Sequence, residues 1–410
     1  MKSSIGYHTF AIFLKLLLEE ESDLHRYFFD YMKKNGPMGI RVLKNIGTIY
    51  TCKNNTGIRW LVINRAVGRS NFRITGVMAI ITPEVLLNKD YITITTKSDI
   101  QEIKVAFNNE ASKISPILGD FDSYSASRGD YCANFFLDEL KIPCTSHQMM
   151  KLIKMGNIPT HYHERTEYDK ATSHRKKTDP NSFYLESGSV VVNCYDKEAQ
   201  LKNDEKHPCK NIKDAKNLIR FEIQCPNQKL HAMSKTPVFL ATEPEPSIPT
   251  SSNEREMDAF YRDLITLLTH HRIALRIDTF LSDTICVEVI NKYFRKIVRS
   301  GDYYTLAKAK NIIEMYRFHP KREKKLINAL EMTNDHRGIY NTKLRLMGKD
   351  LLEYNRMLND LDKLRINPVT IPRSWGIEYI PNLLNAYHDK VAEVQNDERR
   401  HEWECKLFKS

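Results

Sequence analysis

Apolar and polar residues alternate in a series of short runs over the first 240 positions. The runs are Ile58 to Asn64, Phe72 to Ile81, Tyr91 to Thr96, Glu102 to Phe107, Ser127 to Phe135, Ser182 to Glu186, Ser189 to Lys197 and Leu218 to Cys225. A period of two sends successive side chains to opposite faces, so these runs predict half-buried strands. The apolar run from Ala11 to Leu18 predicts a buried amphipathic helix, and Thr145 to Met155 predicts a crossover helix. Many strands with few helices predict an α+β domain on a mainly antiparallel sheet, residues 1–240.

The pattern changes at Ala241. The stretch to Ser252 holds three prolines and little to bury, which predicts a linker over 241–252. Beyond it the apolar period is helical: Asn253 to His271, Asp283 to Arg299, Tyr303 to Tyr316, Pro320 to Met332, Gly348 to Arg365 and Asn382 to Trp403. Residues 253–410 are therefore expected to form a helical domain. No internal repeat is evident.

The polar faces of four strands carry candidate chemistry. In Ser127–Phe135 the polar set is Arg128, Asp130, Cys132 and Asn134, against Tyr131, Ala133 and Phe135. In Leu218–Cys225, Arg220, Glu222 and Gln224 oppose Ile219, Phe221 and Ile223. Tyr184 shares a face with Ser182 and Glu186, and Tyr195 shares one with Asn193 and Lys197. A half-exposed antiparallel sheet has a polar face in any case. Single acids flanked by arginine and tyrosine are nevertheless an unusual way to solvate one.

Composition narrows the partner. The formal net charge of +11 over 410 residues favours a polyanion such as nucleic acid. Between Asn291 and Lys325 there are eleven Lys or Arg against three Asp or Glu, with Tyr293, Phe294, Tyr303, Tyr304, Tyr316 and Phe318 interleaved. That surplus suits a DNA-binding helical module, and Pro320 to Met332 with the turn at Asn334 to Gly338 suggests a helix-turn-helix-like pair. The basic cluster Arg175, Lys176 and Lys177 stands just before Tyr184. Eight scattered cysteines with no CxxC pair argue against a zinc ribbon and for reduced thiols. No apolar stretch is long enough to span a bilayer, and no glycine-rich Walker loop is present, so a cytoplasmic protein without ATPase activity is expected.

The order Ser127-Arg-Gly-Asp-Tyr131, Ser182-Phe-Tyr-Leu185, Asn193-Cys-Tyr-Asp-Lys-Glu198, Ile219-Arg-Phe-Glu-Ile223 resembles rolling-circle replication initiators of small bacterial plasmids and related phages. The resemblance covers roughly residues 58 to 230, with glycine at 129 where that family has a hydrophobic residue. It implies a site-specific nickase and strand transferase acting on plasmid or phage origin DNA, alongside host helicase and polymerase. Asp130 and Glu222 would bind Mg²⁺ or Mn²⁺, both hard cations suited to carboxylates. Tyr184 would be the nucleophile, with Tyr195 its rival and Lys197 a supporting cation. Arg128 and Arg220, with the basic cluster, would hold phosphate. His161-Tyr162-His163 has the spelling of a second initiator and relaxase class that ligates metal through two imidazoles. A non-enzymatic origin-binding or regulatory protein, and a conjugative relaxase or transposase, are the alternative readings.

Overall fold

The computed structural model describes residues 2–44, 46–52, 56–66, 73–164, 179–202, 212–234 and 276–407. The expected linker, the expected helix Asn253 to His271 and the cluster Arg175, Lys176 and Lys177 lie outside the described residues.

The architecture is α+β. A ten-stranded antiparallel sheet dominates the described residues up to 234, in the order β2-β3-β4-β5-β1-β6-β10-β9-β8-β7. Its strands are β1 (Ser4–Lys15), β2 (Met38–Leu43), β3 (Gly47–Cys52), β4 (Ile58–Ala66), β5 (Arg73–Ile81), β6 (Ser125–Phe136), β7 (His163–Glu164), β8 (Ser182–Glu186), β9 (Val191–Asp196) and β10 (Leu218–Pro226). Two long strands, β1 and β6, pair at the centre.

Alternation along these strands makes one face the core. Trp60 and Val62, Val77 and Ala79, Phe10 and Ile12, Tyr131 and Ala133, and Phe221 and Ile223 are all buried there. Helices α1 (Leu18–Asn35) and α4 (Ser146–Lys154) pack on this side, α1 against β4 and β5, α4 against β9 and β10. Thr145 starts α4 with a capping box: its hydroxyl accepts from the Gln148 amide, and the Gln148 side chain accepts from the Thr145 amide.

Three expected elements change type. The run Ala11 to Leu18 is not a helix. Its first part closes strand β1, and α1 begins only at Leu18. A short apolar run cannot be told from a buried helix by period when a strand lies at the sheet centre. Glu102 to Phe107 is not a strand but part of α3 (Ile100–Ile114), where Ile100, Ile103, Phe107, Ala111 and Ile114 are buried at spacings of three and four. Tyr91 to Thr96 is an irregular segment that touches β1 through a single bridge, Tyr7 to Thr95. Gly6 permits that approach, since a Cβ there would meet the Thr95 carbonyl oxygen at 2.2 Å. It follows the short helix α2 (Pro83–Leu86).

Between β9 and β10 lies α5 (Lys197–Lys202), and after β10 come α6 (Asn227–Ser234), α7 (Ile277–Phe280), α8 (Asp283–Ile297), α9 (Leu306–Met315), α10 (Pro320–Asp335), α11 (Ile339–Arg345), α12 (Gly348–Lys363) and α13 (Leu383–Leu407). Of these, α8 completes the cover of the sheet. Phe294 packs edge-on against Phe221 at 5.2 Å and tilted against Phe135 at 5.6 Å, and Tyr387 of α13 meets Phe135 as well. Burying one such phenylalanine contributes about 1.5–3 kcal/mol. The extended segment from Arg365 to Gly376 threads this region, with Ile366, Val369 and Ile371 buried and the Asn367 amide donating to the Val298 carbonyl. No helix among the described residues is long and apolar enough to cross a membrane.

Candidate active site

The face opposite the core holds a cleft of about 590 Å³, lined among others by Arg128, Asp130, Tyr184, Tyr195 and Glu222. Five residues singled out on four strands thus converge. The register explains why. Glu222 on β10 lies opposite Cys132 of β6, and Gln224 lies opposite Asp130, so the two carboxylates are diagonal neighbours on adjacent strands. Tyr184 faces Asn193, which faces Glu222, and Tyr195 faces Ser182.

Each acid has a partner. Arg128 grips Asp130 with two hydrogen bonds, Nε to Oδ1 at 2.7 Å and Nη2 to Oδ2 at 2.5 Å. Burial pushes the Asp130 carboxyl above the usual carboxylate range, with the Glu222 charge adding to the rise, while Arg128 and His8 oppose it. Burial disfavours the Arg128 charge, but Asp130 outweighs it and holds the guanidinium above its ordinary value, helped by Tyr184 and Glu222. The Tyr195 hydroxyl donates to Glu222 Oε1 at 2.6 Å. Burial, then the Glu222 charge, push that phenol well above its ordinary value. Tyr184 is half-buried at the cleft wall, between the core residues Phe183 and Leu185. The glycine at 129 leaves room for Tyr131, whose ring a Cβ would approach at 3.2 Å.

Four expected residues sit elsewhere. Lys197 is not on the strand with Tyr195: β9 ends at Asp196, and Lys197 opens helix α5 (Lys197–Lys202). Its Nζ lies 5.7 Å from the Tyr195 ring centre and donates to Gln200 Oε1 at 2.8 Å. Burial, with the Arg220 charge next, brings its pKa down to about 8. Arg220 is fully buried, so it does not reach a phosphate in the cleft. Its Nε donates to Asn134 Oδ1 at 2.8 Å and its Nη2 to the carbonyls of Tyr91 and Ile92. It ties the irregular segment onto β6 and β10. His161 stands in a turn at φ 71°, and His163 lies exposed on the edge strand β7, 3.7 Å from Glu186. Neither lines the cleft.

Two site groups escaped the sequence reading. His8, at a bulge of β1 opposite β6, lines the cleft and bonds through Nδ1 to Glu84 Oε1 at 2.7 Å. Glu84, on α2, is buried, and its Oε2 has no hydrogen-bond partner. A lone histidine near the start and an acid after a proline carry no spacing signal. Among the described residues no group of three or more His, Cys, Asp or Glu is arranged to hold a metal ion.

Comparison with known protein families, curated proteins and solved structures finds no match to this chain.

Proposed function

We propose that the chain nicks one DNA strand through Tyr184 and initiates rolling-circle replication of a small plasmid or phage. The observation that carries this reading is the meeting of Tyr184, Arg128, Asp130 and Glu222 in one cleft from three strands. The Tyr184 oxygen would attack phosphorus, forming a phosphotyrosine and breaking the bond to the 3′ oxygen, which leaves as a free 3′-hydroxyl after taking a proton. Arg128 would steady the charge gathering on the phosphate oxygens. Tyr195 is the poorer nucleophile because it is buried in the cleft floor, and burial pushes its phenol well above its ordinary value.

Asp130 and Glu222 fit Mg²⁺ or Mn²⁺ in kind: two hard oxygen ligands on one cleft face, for ions that keep several waters. Such an ion, when bound, polarises the phosphate and neutralises its charge. Origin DNA is then the partner, host helicase and polymerase would extend the 3′ end, and the protein would work in the cytoplasm. The helix pair α10 and α11, joined at His336 to Gly338, would add contacts to the duplex.

The test is to trap a covalent adduct on a labelled single-stranded origin oligonucleotide with Mg²⁺ or Mn²⁺ and to map the modified peptide. An adduct on Tyr184 supports the reading. A second reading, a non-enzymatic origin-binding protein, draws on one observation: both Asp130 oxygens are already taken by Arg128. Absence of any adduct with every metal would favour it.

A further inference from the structure

The sheet is built twice. β1, α1, β2, β3, β4 and β5 follow one another as do β6, α4, β7, β8, β9 and β10, with helix α5 added between β9 and β10, and the sheet order reads outward from the centre as β1-β5-β4-β3-β2 on one side and β6-β10-β9-β8-β7 on the other. The pairing repeats when Thr9 is matched with Asp130. Phe10 faces Ile81 as Tyr131 faces Ile223, and Thr9 and Asp130, which correspond, face each other across the centre. By the same count Glu222 corresponds to Ile80, Tyr195 to Leu61, Asn193 to Arg59 and Tyr184 to Thr51.

The half-sheet β1–β5 therefore repeats the frame of the cleft without its acids and tyrosines. On the face it shares with Asp130 it shows Ile80, Met78, Ile63, Ile49 and Phe13, all half-buried, and none belongs to the apolar side chains packed on the main core. Arg59, Arg41 and Lys15 stand exposed on that same face, and among its described side chains there is no acid. The helix packed on β4 and β5, α1, lies on the other side. The face is continuous with the cleft, because Thr9 and Arg59 also line it.

We propose that this face holds the single DNA strand running out of the cleft, its phosphates on Arg59, Arg41 and Lys15 and its bases against the apolar side chains. The proposal rests on the reading that DNA enters the cleft. Charge complementarity selects the occupant: a face with cations and no acid suits a polyanion, and flat apolar surface accepts base faces without regard to sequence. From β10 to β2 are six strand spacings, a path of about 29 Å across the sheet. The half without the acids would thus position the strand, and the half that has them would cut it.

The probe is oligo(dT), in one length that fills only the cleft and one that crosses the sheet, followed by fluorescence anisotropy over a salt series. K15E/R41E changes two exposed side chains outside the cleft. It should weaken binding of the long strand about tenfold and lower its salt slope by about two, leaving the short strand unchanged. Equal affinity of variant and wild type for the long strand overturns the inference. Photocrosslinking of a bromodeoxyuridine strand to the wild type gives an independent reading: crosslinks in the peptides holding Phe13 or Met78 support it, and crosslinks confined to residues 276–407 overturn it. Both measurements read binding alone. A wild type that binds the long strand through this face yet forms no adduct would sink the nickase reading and leave the face assignment standing.

Discussion

Tyr195 gives its hydroxyl hydrogen to Glu222 at 2.6 Å in the cleft floor, one strand away from Tyr184. The two tyrosines therefore have separable tasks. Tyr184→Phe should retain oligonucleotide affinity and form no covalent adduct. Tyr195→Phe should still form the adduct, and should lose about 1–3 kcal/mol of stability, because Glu222 Oε1 is left without its donor. Adduct mapping and thermal unfolding of the two variants check this. An adduct on Tyr195 in the wild type would reverse the assignment.

The carboxylates are predicted to act together on a cation. Glu222→Gln and Asp130→Asn should each reduce nicking on the order of a hundredfold and raise the Mn²⁺ concentration needed for half-maximal rate. The two differ in stability. Asp130→Asn breaks a two-bond pair in a buried setting and should cost more than Glu222→Gln in a denaturant titration. Metal-independent nicking at the wild-type rate in either variant would rule out the ion.

Lys197 supplies a test by pH. Its folded-state pKa is about 8 against an ordinary 10.5. Between those values the folded protein has shed the proton and the unfolded chain retains it, so this group makes stability rise as pH climbs from about 8 toward 10.5. Below pH 8 the buried charge is a constant cost. Lys197→Met should stabilise the protein at pH 7 by roughly 2–3 kcal/mol and flatten that rise. Lys343 also titrates near 8, so the quantity to measure is the difference between variant and wild type across the series. A difference that does not change with pH would show that Lys197 is not buried as a cation.

Arg220 should behave as a structural residue. Arg220→Met leaves Asn134 and the carbonyls of Tyr91 and Ile92 without a shared donor and should lower stability by several kcal/mol. The salt slope for DNA binding of the folded fraction should stay unchanged, since the guanidinium is enclosed by protein. A slope reduced by about one would return Arg220 to the phosphate contacts.

The helical region illustrates where charge counting stops. Of the cations between Asn291 and Lys325, Arg299 pairs with Asp362, Lys308 with Glu378, Lys310 with Glu331, Arg322 with Asp360 and Lys325 with Glu353. Those acids all lie beyond the counted stretch, four on helices α10 and α12 and Glu378 in the loop before Tyr379, so a local count overstates the charge left for a partner. Tyr293, Phe294 and Tyr303 are likewise core residues.

Strand faces were legible where period two was clean. The runs at 58–64, 127–135, 182–186 and 218–225 all became strands, and alternation alone put Arg128 with Asp130 and Glu222 with Gln224. Alternation tells which face a side chain takes and not what covers that face. Hence Arg220, on the same face as Glu222, lies under the segment at Tyr91 and Ile92, while Glu222 lines the cleft. His8 and Glu84 reach the site from β1 and α2, far from the strands that carry its motifs. The duplication was invisible because corresponding positions differ in chemistry, as Glu222 and Ile80 do, while sharing only pairing geometry.

That doubled plan also orders events in time. Strand β1 finds one neighbour, β5, within the first half, but its other edge waits for β6, where Ser4 comes to lie opposite Asn134. During synthesis the first five strands can close on themselves while the free edge of β1 stays unpaired, a hazard for strand addition by another chain. The second half then assembles on that edge as on a template. On the proposed reading, a nascent chain would carry the β1–β5 face well before Glu222 of β10 completed the cleft.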